Sequence, residues 1–112
     1  MTADVAPIAR TPEPSYVAVI FTSLRRTGDG GYERMAQRMV ELASQQPGFL
    51  GVESARGEDG LGITVSYWKD EEAVRAWKAQ SEHEGAQALG RERFYTDYRV
   101  RVALVLREYG KD

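Results

Sequence analysis

The chain has 112 residues, a length that allows one folded domain, and its 42% hydrophobic and 29% charged residues are typical of globular proteins. The formal net charge of −2 comes from interspersed acids and bases, so we expect no binding to nucleic acid or to a membrane surface. The absence of cysteine excludes disulfides, thiolate nucleophiles and cysteine-ligated metals, and with His83 as the single histidine we expect neither a metal site nor a Ser/His/Asp triad.

The N-terminal segment differs in composition from the rest of the chain. Residues 1–14 contain three of the four prolines among small and polar residues and show no periodic pattern. We therefore expect a flexible arm over residues 1–14 and one domain over residues 15–112. Residues 1–10 lack the apolar centre of a secretory signal, and no apolar run reaches the roughly 20 residues of a membrane span. The sequence thus predicts a cytoplasmic protein.

The first predicted elements are a strand and an amphipathic helix. Residues 16–24 are rich in β-branched and aromatic side chains, which fit a buried pleated surface. After a glycine-rich break, apolar residues recur at steps of three and four, at Tyr32, Met35, Met39 and Leu42. Pro47 and Gly48 are expected to end this helix.

A β-hairpin is predicted next, followed by a broken helix and a long strand. Residues 49–56 and 61–68 read as two strands joined by a turn at residues 58–60. Asp70 is a candidate N-cap for the second helix, and a capping box at Ser81 predicts a bend and a further helical segment. This segment covers residues 84–91, and residues 96–109 alternate as the last strand. The order βαββααβ predicts a ferredoxin-like α+β fold with a four-stranded antiparallel sheet.

The first strand is apolar on both of its faces. Val17, Val19 and Phe21 form one alternating set, and Ala18 and Ile20 form the other. The helices of such a fold cover only one face of the sheet, and an exposed apolar face is commonly buried against a second copy about a two-fold axis. We therefore predict a homodimer through the sheet face that closes into an α+β barrel.

Two passages resemble the antibiotic biosynthesis monooxygenase (ABM-like) family. The sequence QPGFLGVE at residues 46–53 matches the family's turn into its second strand, and ITVSYWKDEEAVRAW at residues 63–77 matches its passage from the third strand into the second helix. The resemblance spans about residues 16–109 and implies the dimeric α+β barrel fold. The family includes cofactor-independent quinone-forming monooxygenases, haem-degrading enzymes and members without known chemistry.

The sequence departs from the family pattern in two respects. The monooxygenases and haem degraders use a pocket asparagine, and this chain contains no asparagine. The haem degraders also place a histidine ten residues after the helix tryptophan, and at that distance from Trp77 the residue is Gln87. His83 would lie one turn earlier on about the same helix face, so a displaced haem ligand stays open as a less favoured alternative.

The candidate catalytic residues combine a ring-stacking side chain with a proton acceptor. The resemblance places Trp77 where active members stack the substrate ring, although a tryptophan on an apolar helix stripe also packs in cores. His83 titrates near neutral pH and is the candidate general base for a phenol or enol proton. The alternative is a solvated histidine just after the Ser81 cap.

Further candidates lie in a charged and phenolic run that leads into the last strand. Arg91 could stabilise a substrate oxyanion, with Tyr95 or Tyr98 orienting it, and the alternative is a solvent-facing run of ion pairs. The remaining candidates would contact substrate: Trp68, Ser66 and Gln87.

The resemblance implies a monooxygenase that oxidises a small aromatic or polyketide-like compound without metal, flavin or haem. A non-catalytic dimeric domain that binds a small molecule is the first alternative. Haem binding or degradation is the second.

Overall fold

The structure is a computed structural model that describes residues 8–26, 31–83 and 94–111, with His83 described by its backbone alone. Within these residues the elements are, in chain order, β1 (Tyr16–Arg25), α1 (Tyr32–Ser44), β2 (Phe49–Arg56), β3 (Leu61–Trp68), α2 (Glu71–His83) and β4 (Tyr95–Val105). The strands form one antiparallel sheet in the order β2-β3-β1-β4. The predicted ferredoxin-like α+β fold is confirmed. The predicted helical segment at residues 84–91 lies outside the described residues.

The strand register divides the side chains between the two faces of the sheet. Residues that lie opposite each other in an antiparallel pair point to the same face. Val17 of β1 lies opposite Trp68 of β3 and Leu104 of β4, and its side chain packs beneath the helices. The helix side therefore also carries Val19, Phe21, Ser23, Ser66, Thr64, Gly62, Val102, Val100 and Tyr98. The other set, which we call the outer face, includes Ala18, Ile20, Tyr67, Val65, Ile63, Ala103, Arg101 and Arg99.

The core lies between the helices and the β1 and β3 end of the helix side. Val17, Ala43, Trp68 and Val74 are buried together. Burying an aliphatic side chain of this kind stabilises the fold by about 1.5–3 kcal/mol. Asp70 caps α2 as predicted, because its carboxylate accepts a hydrogen bond from the backbone N–H of Ala73 at 2.8 Å.

Two sequence predictions about element ends are wrong. The chain does not bend at Ser81, because α2 continues through it to His83 and its hydroxyl donates to the carbonyl of Lys78 at 2.9 Å. The last strand ends at Val105 rather than at residue 109. Val105 lies opposite Tyr16, the first residue of β1, so the chain beyond it has no β1 residue to pair with.

Part of the N-terminal segment lies on the outer face. The backbone N–H of Ala9 donates to the Glu53 carboxylate at 2.9 Å, and the Tyr67 hydroxyl donates to the same carboxylate at 2.6 Å. Tyr16 donates to Glu108 at 2.5 Å. Residues 8–14 thus have fixed contacts in the structure, while the flexibility of residues 1–14 in solution stays a prediction.

Apolar side chains are exposed on both faces of the sheet. On the outer face Leu61 and Ile63 are each 45% exposed. On the helix side of β4 the exposed fraction rises from 37% at Tyr98 to 59% at Leu104. Helix α1 packs mainly on β2, with Tyr32 at its start against Tyr95 at the start of β4, and α2 packs on β1 and β3. The described helices thus leave most of the helix side of β4 open. Neither of the two described helices has the length and apolar character needed to cross a bilayer.

Candidate functional site

The first group of predicted site residues surrounds Trp77 on α2. The Trp77 ring stacks on Trp68 with ring centroids 5.8 Å apart and planes inclined by 19°. Trp68 is fully buried, packs edge-on against Phe49, and donates its indole N–H to the Ser66 hydroxyl at 2.9 Å. We call Ser66, Trp68 and Trp77 the tryptophan group. Within it Trp77 is the partly exposed ring, so it is the ring best placed to meet a ligand.

The second group gathers aromatic side chains where the start of α1 meets β1 and β4. The Tyr95 ring lies 5.2 Å from Phe21, 5.9 Å from Tyr32 and 6.5 Å from Tyr98, measured between centroids. These packings are edge-to-face or tilted, as aromatic pairs prefer. The predicted residues Tyr95 and Tyr98 are therefore brought together by the fold.

Two arginines complete this second group, and sequence reasoning missed both. The guanidinium carbon of Arg25 lies 4.1 Å from the centroid of Tyr32. That of Arg56 lies 5.6 Å from Tyr32 and 5.9 Å from Tyr95. We call the second group the aromatic–arginine cluster; it consists of Phe21, Arg25, Tyr32, Arg56, Tyr95 and Tyr98. It places positive charge against phenol rings at one end of the helix side.

The environment of Tyr95 keeps its hydroxyl protonated. Burial is the main cause that raises the pKa of Tyr95 above its ordinary value, and a hydrogen bond with Tyr32 raises it further. The positive charges of Arg56 and Arg25 oppose this rise only in part. At neutral pH Tyr95 is thus a neutral phenol that can donate a hydrogen bond.

The two groups follow one another along β1 on the same side of the sheet, and their most distant members are Trp68 and Tyr98. Trp68 lies opposite Val17, and Tyr98 lies opposite Ser23, six positions along the strand. At about 3.3 Å per residue this separation is roughly 20 Å. The strip between them is lined by apolar side chains and by Thr64, which lies opposite Phe21.

The other predicted site residues are only partly described. Arg91 and Gln87 lie outside the described residues. His83 is the last residue of α2, and only its backbone belongs to the described part of the structure. Its role as a base therefore stays a prediction. Among the described residues no three His, Cys, Asp or Glu side chains converge as a metal site would require.

Comparison with known proteins places this chain in a family. The sequence model of the family "Antibiotic biosynthesis monooxygenase" matches residues 15–89. The uncharacterized protein YqjZ of Bacillus subtilis is 52% identical over 101 residues, which cover 90% of this chain and 89% of YqjZ. The chain belongs to the antibiotic biosynthesis monooxygenase family.

Solved structures show the same fold at low sequence identity. PA3566 of Pseudomonas aeruginosa matches with a TM-score of 0.66 and 18% identity, covering 88% of this chain and 99% of that one. SnoaB of Streptomyces nogalater, a cofactor-independent oxygenase, matches with a TM-score of 0.67 and 17% identity, covering 87% of this chain and 97% of that one.

Proposed function

We propose that the protein is a cofactor-independent monooxygenase that acts on a small aromatic or polyketide-like compound. The observation that carries the proposal is the pairing, on one side of the sheet, of a partly exposed tryptophan with a cluster of phenols and arginines. Membership of the monooxygenase family and the fold shared with SnoaB support it. In this proposal Trp77 stacks the ring of the substrate and His83 accepts its proton.

The chemistry requires an electron-rich anion and a place for its charge. Loss of a proton from a phenol or enol gives an anion that reduces molecular oxygen, and the resulting peroxide expels water to leave a ketone or quinone. For a methylene substrate such as an anthrone, one O₂ is consumed, one oxygen atom enters the product and the other leaves as water. Hydrogen bonds from Tyr95 and Tyr98 and the charge of Arg91 would stabilise the oxyanion before and during this step.

Oxygen uptake tests the proposal. The wild-type protein is expected to consume oxygen with anthrone-like or hydroquinone substrates, whereas a Trp77→Ala, His83→Ala double variant loses at least about tenfold in rate, since a well-placed base alone contributes more than that. Trp77→Phe keeps an aromatic ring and serves as the matched control for packing. Thermal melts of each variant separate loss of folding from loss of chemistry.

Failure of the wild type to exceed the double variant with any of these substrates would defeat the proposal. The alternative of a non-catalytic binding domain predicts an apolar cleft without converging polar groups. The Tyr95 hydroxyl and the guanidinium of Arg56 favour the enzyme over that alternative. A haemin titration followed at the Soret band tests the haem alternative, for which we expect no shift.

We also propose that the protein works as a homodimer formed through the outer face. Exposed Leu61 and Ile63 on that face support this assembly, because an apolar surface of this kind is stabilised by burial against a second copy.

A further inference from the structure

We propose that Arg56 and Tyr95 form a subsite that binds the anionic oxygen of a phenolate or enolate ligand. The inference deepens the proposed function and rests on it for the class of ligand. Arg56 supplies a positive charge next to Tyr95, in addition to the charge that the sequence suggested for Arg91.

The sheet holds the guanidinium of Arg56 in a fixed position. One of its terminal nitrogens donates to the Ser23 hydroxyl at 2.7 Å, and the other donates to the carbonyls of Ser23 and Gly60. Arg56 lies opposite Gly62, and a Cβ atom added to Gly62 would come within 2.7 Å of the Arg56 Nη2 atom. The guanidinium therefore lies against β3 at Gly62, in space that the side chain of a larger residue would occupy.

The charge of Arg56 is not matched by a carboxylate among the described residues. Its hydrogen-bond acceptors there are the hydroxyl and carbonyl of Ser23 and the carbonyl of Gly60, which are all neutral. Arg25 adds a second positive charge against the Tyr32 ring. A partly buried guanidinium with neutral partners favours an incoming anion more strongly than one in water does, because the local dielectric is lower.

The phenols beside Arg56 supply a hydrogen-bond donor for the same anion. The Tyr32 and Tyr95 rings lie 5.9 Å apart between centroids, and each hydroxyl has one proton to donate, so a donor remains for an outside acceptor even when one hydroxyl donates to the other. Both rings lie within 6 Å of the Arg56 guanidinium carbon. A phenolate oxygen at this place would meet a cation and a hydroxyl donor together, which is the arrangement that stabilises an oxyanion.

A solely structural role for Arg56 is the competing explanation. Its hydrogen bonds to Ser23 and Gly60 tie the β2–β3 hairpin to β1, and that role predicts no preference between charged and neutral ligands. The two explanations predict different ionisation of a bound phenol. The subsite favours the phenolate, whereas a structural role alone favours neither form.

The experiment uses 4-nitrophenol, whose phenolate is coloured, and titrates its ionisation with and without wild-type protein. We expect the phenolate to bind about tenfold more tightly than the phenol, which lowers the pKa of the bound probe by about one unit. Arg56→Met should abolish this preference. Arg75→Met is the matched control, because it removes one exposed positive charge on α2 and should leave the preference intact.

Two further variants test the subsite if Arg56→Met does not fold. Arg56→Lys keeps the charge and should retain part of the preference, while Tyr95→Phe removes the donor and should weaken it about threefold. The inference is overturned if wild-type protein does not bind the probe, binds both forms equally, or loses its preference equally in Arg75→Met. An unchanged preference in Tyr95→Phe and Arg56→Met also overturns it.

Oxygen uptake separates this inference from the proposed function. A phenolate preference that depends on Arg56, in a protein without oxygen uptake, leaves the subsite standing and defeats the monooxygenase. Oxygen uptake without such a preference defeats the subsite alone.

Discussion

At the scale of single residues, the carboxylates of Glu53 and Glu108 accept hydrogen bonds from the hydroxyls of Tyr67 and Tyr16. Burial and the hydrogen bond to Glu53 raise the pKa of Tyr67 to about 12. Hydrogen bonds from Thr11 and Tyr16 lower the pKa of Glu108. The folded chain thus keeps the Tyr67 proton over a pH range in which the unfolded chain releases it.

This difference in pKa predicts how stability depends on alkaline pH. Because Tyr67 binds its proton more tightly when folded, its contribution to stability is complete below pH 10 and is lost as pH rises to about 12. Glu53→Gln removes the negative charge and should lower the pKa of Tyr67 towards 10, so the loss of stability over this range becomes smaller. Tyrosinate absorbance during alkaline titration, compared with Tyr67→Phe, measures the shift.

Glu58→Gln, in the exposed turn between β2 and β3, is the control for Glu53→Gln. A pKa of Tyr67 that stays near 12 in Glu53→Gln, or that falls equally in Glu58→Gln, would contradict the contribution assigned to Glu53.

The site residues differ in how far the sequence can reveal them. Tyr95 and Tyr98 stand out as phenols that lead into a strongly alternating strand. Arg56 does not, because the β2–β3 register shifts between Phe49 and Gly51. Simple alternation from Phe49 would place Arg56 on the outer face, and the irregularity turns it to the helix side. A single sequence carries no clear signal for such a shift.

At the scale of elements, the local signals were sufficient at the hairpin turn and at the Asp70 cap. The hairpin strands β2 and β3 run from Phe49 to Arg56 and from Leu61 to Trp68, as the sequence predicts, because a turn fixes the ends that face each other. The Ser81 prediction failed because a serine hydroxyl can bond back to a carbonyl of its own helix.

Gly48, which connects α1 to β2, is expected to tolerate substitution poorly. Its φ is +86°, and a Cβ atom there would lie 2.7 Å from the Cβ of Ala73 on α2. Gly31 has a similar φ of +93°, and no described atom lies within 4 Å of its added Cβ. Gly48→Ala should therefore lower the free energy of unfolding by about 1–3 kcal/mol more than Gly31→Ala, through the clash alone.

Urea denaturation of the two variants measures this difference, and the slope of the transition shows whether the folded states remain comparable. An equal loss of unfolding free energy in Gly48→Ala and Gly31→Ala would contradict the clash, because it would mean that α2 moves away from the added methyl group.

At the scale of the whole molecule, both faces of the sheet expose apolar side chains. A dimer through the outer face buries different residues from a dimer through the helix side. If the dimer forms through the outer face, Ile63→Lys should shift it towards monomer, while Val102→Lys on the helix side of β4 should not. The two residues are matched in exposure, at 45% and 51%. Sedimentation velocity at micromolar concentration measures the assembly.

A stable wild-type monomer at that concentration would contradict the dimer. Dissociation by Val102→Lys alone would place the contact on the helix side instead. The sequence predicted an uncovered apolar face from the two-sided character of β1. It did not predict exposure on the helix side, because this depends on β4 lying at the sheet edge, beyond the described helices.

The distance along β1 from the tryptophan group to the aromatic–arginine cluster affects which ligands the protein can bind. A compound with one ring is much shorter than the roughly 20 Å of strand from Val17 to Ser23, so it cannot contact Trp68 and Tyr98 at the same time. An elongated compound with several fused rings can come closer to both. Molecular length, rather than the identity of any one substituent, would then determine whether stacking and charge stabilisation act on the same ligand.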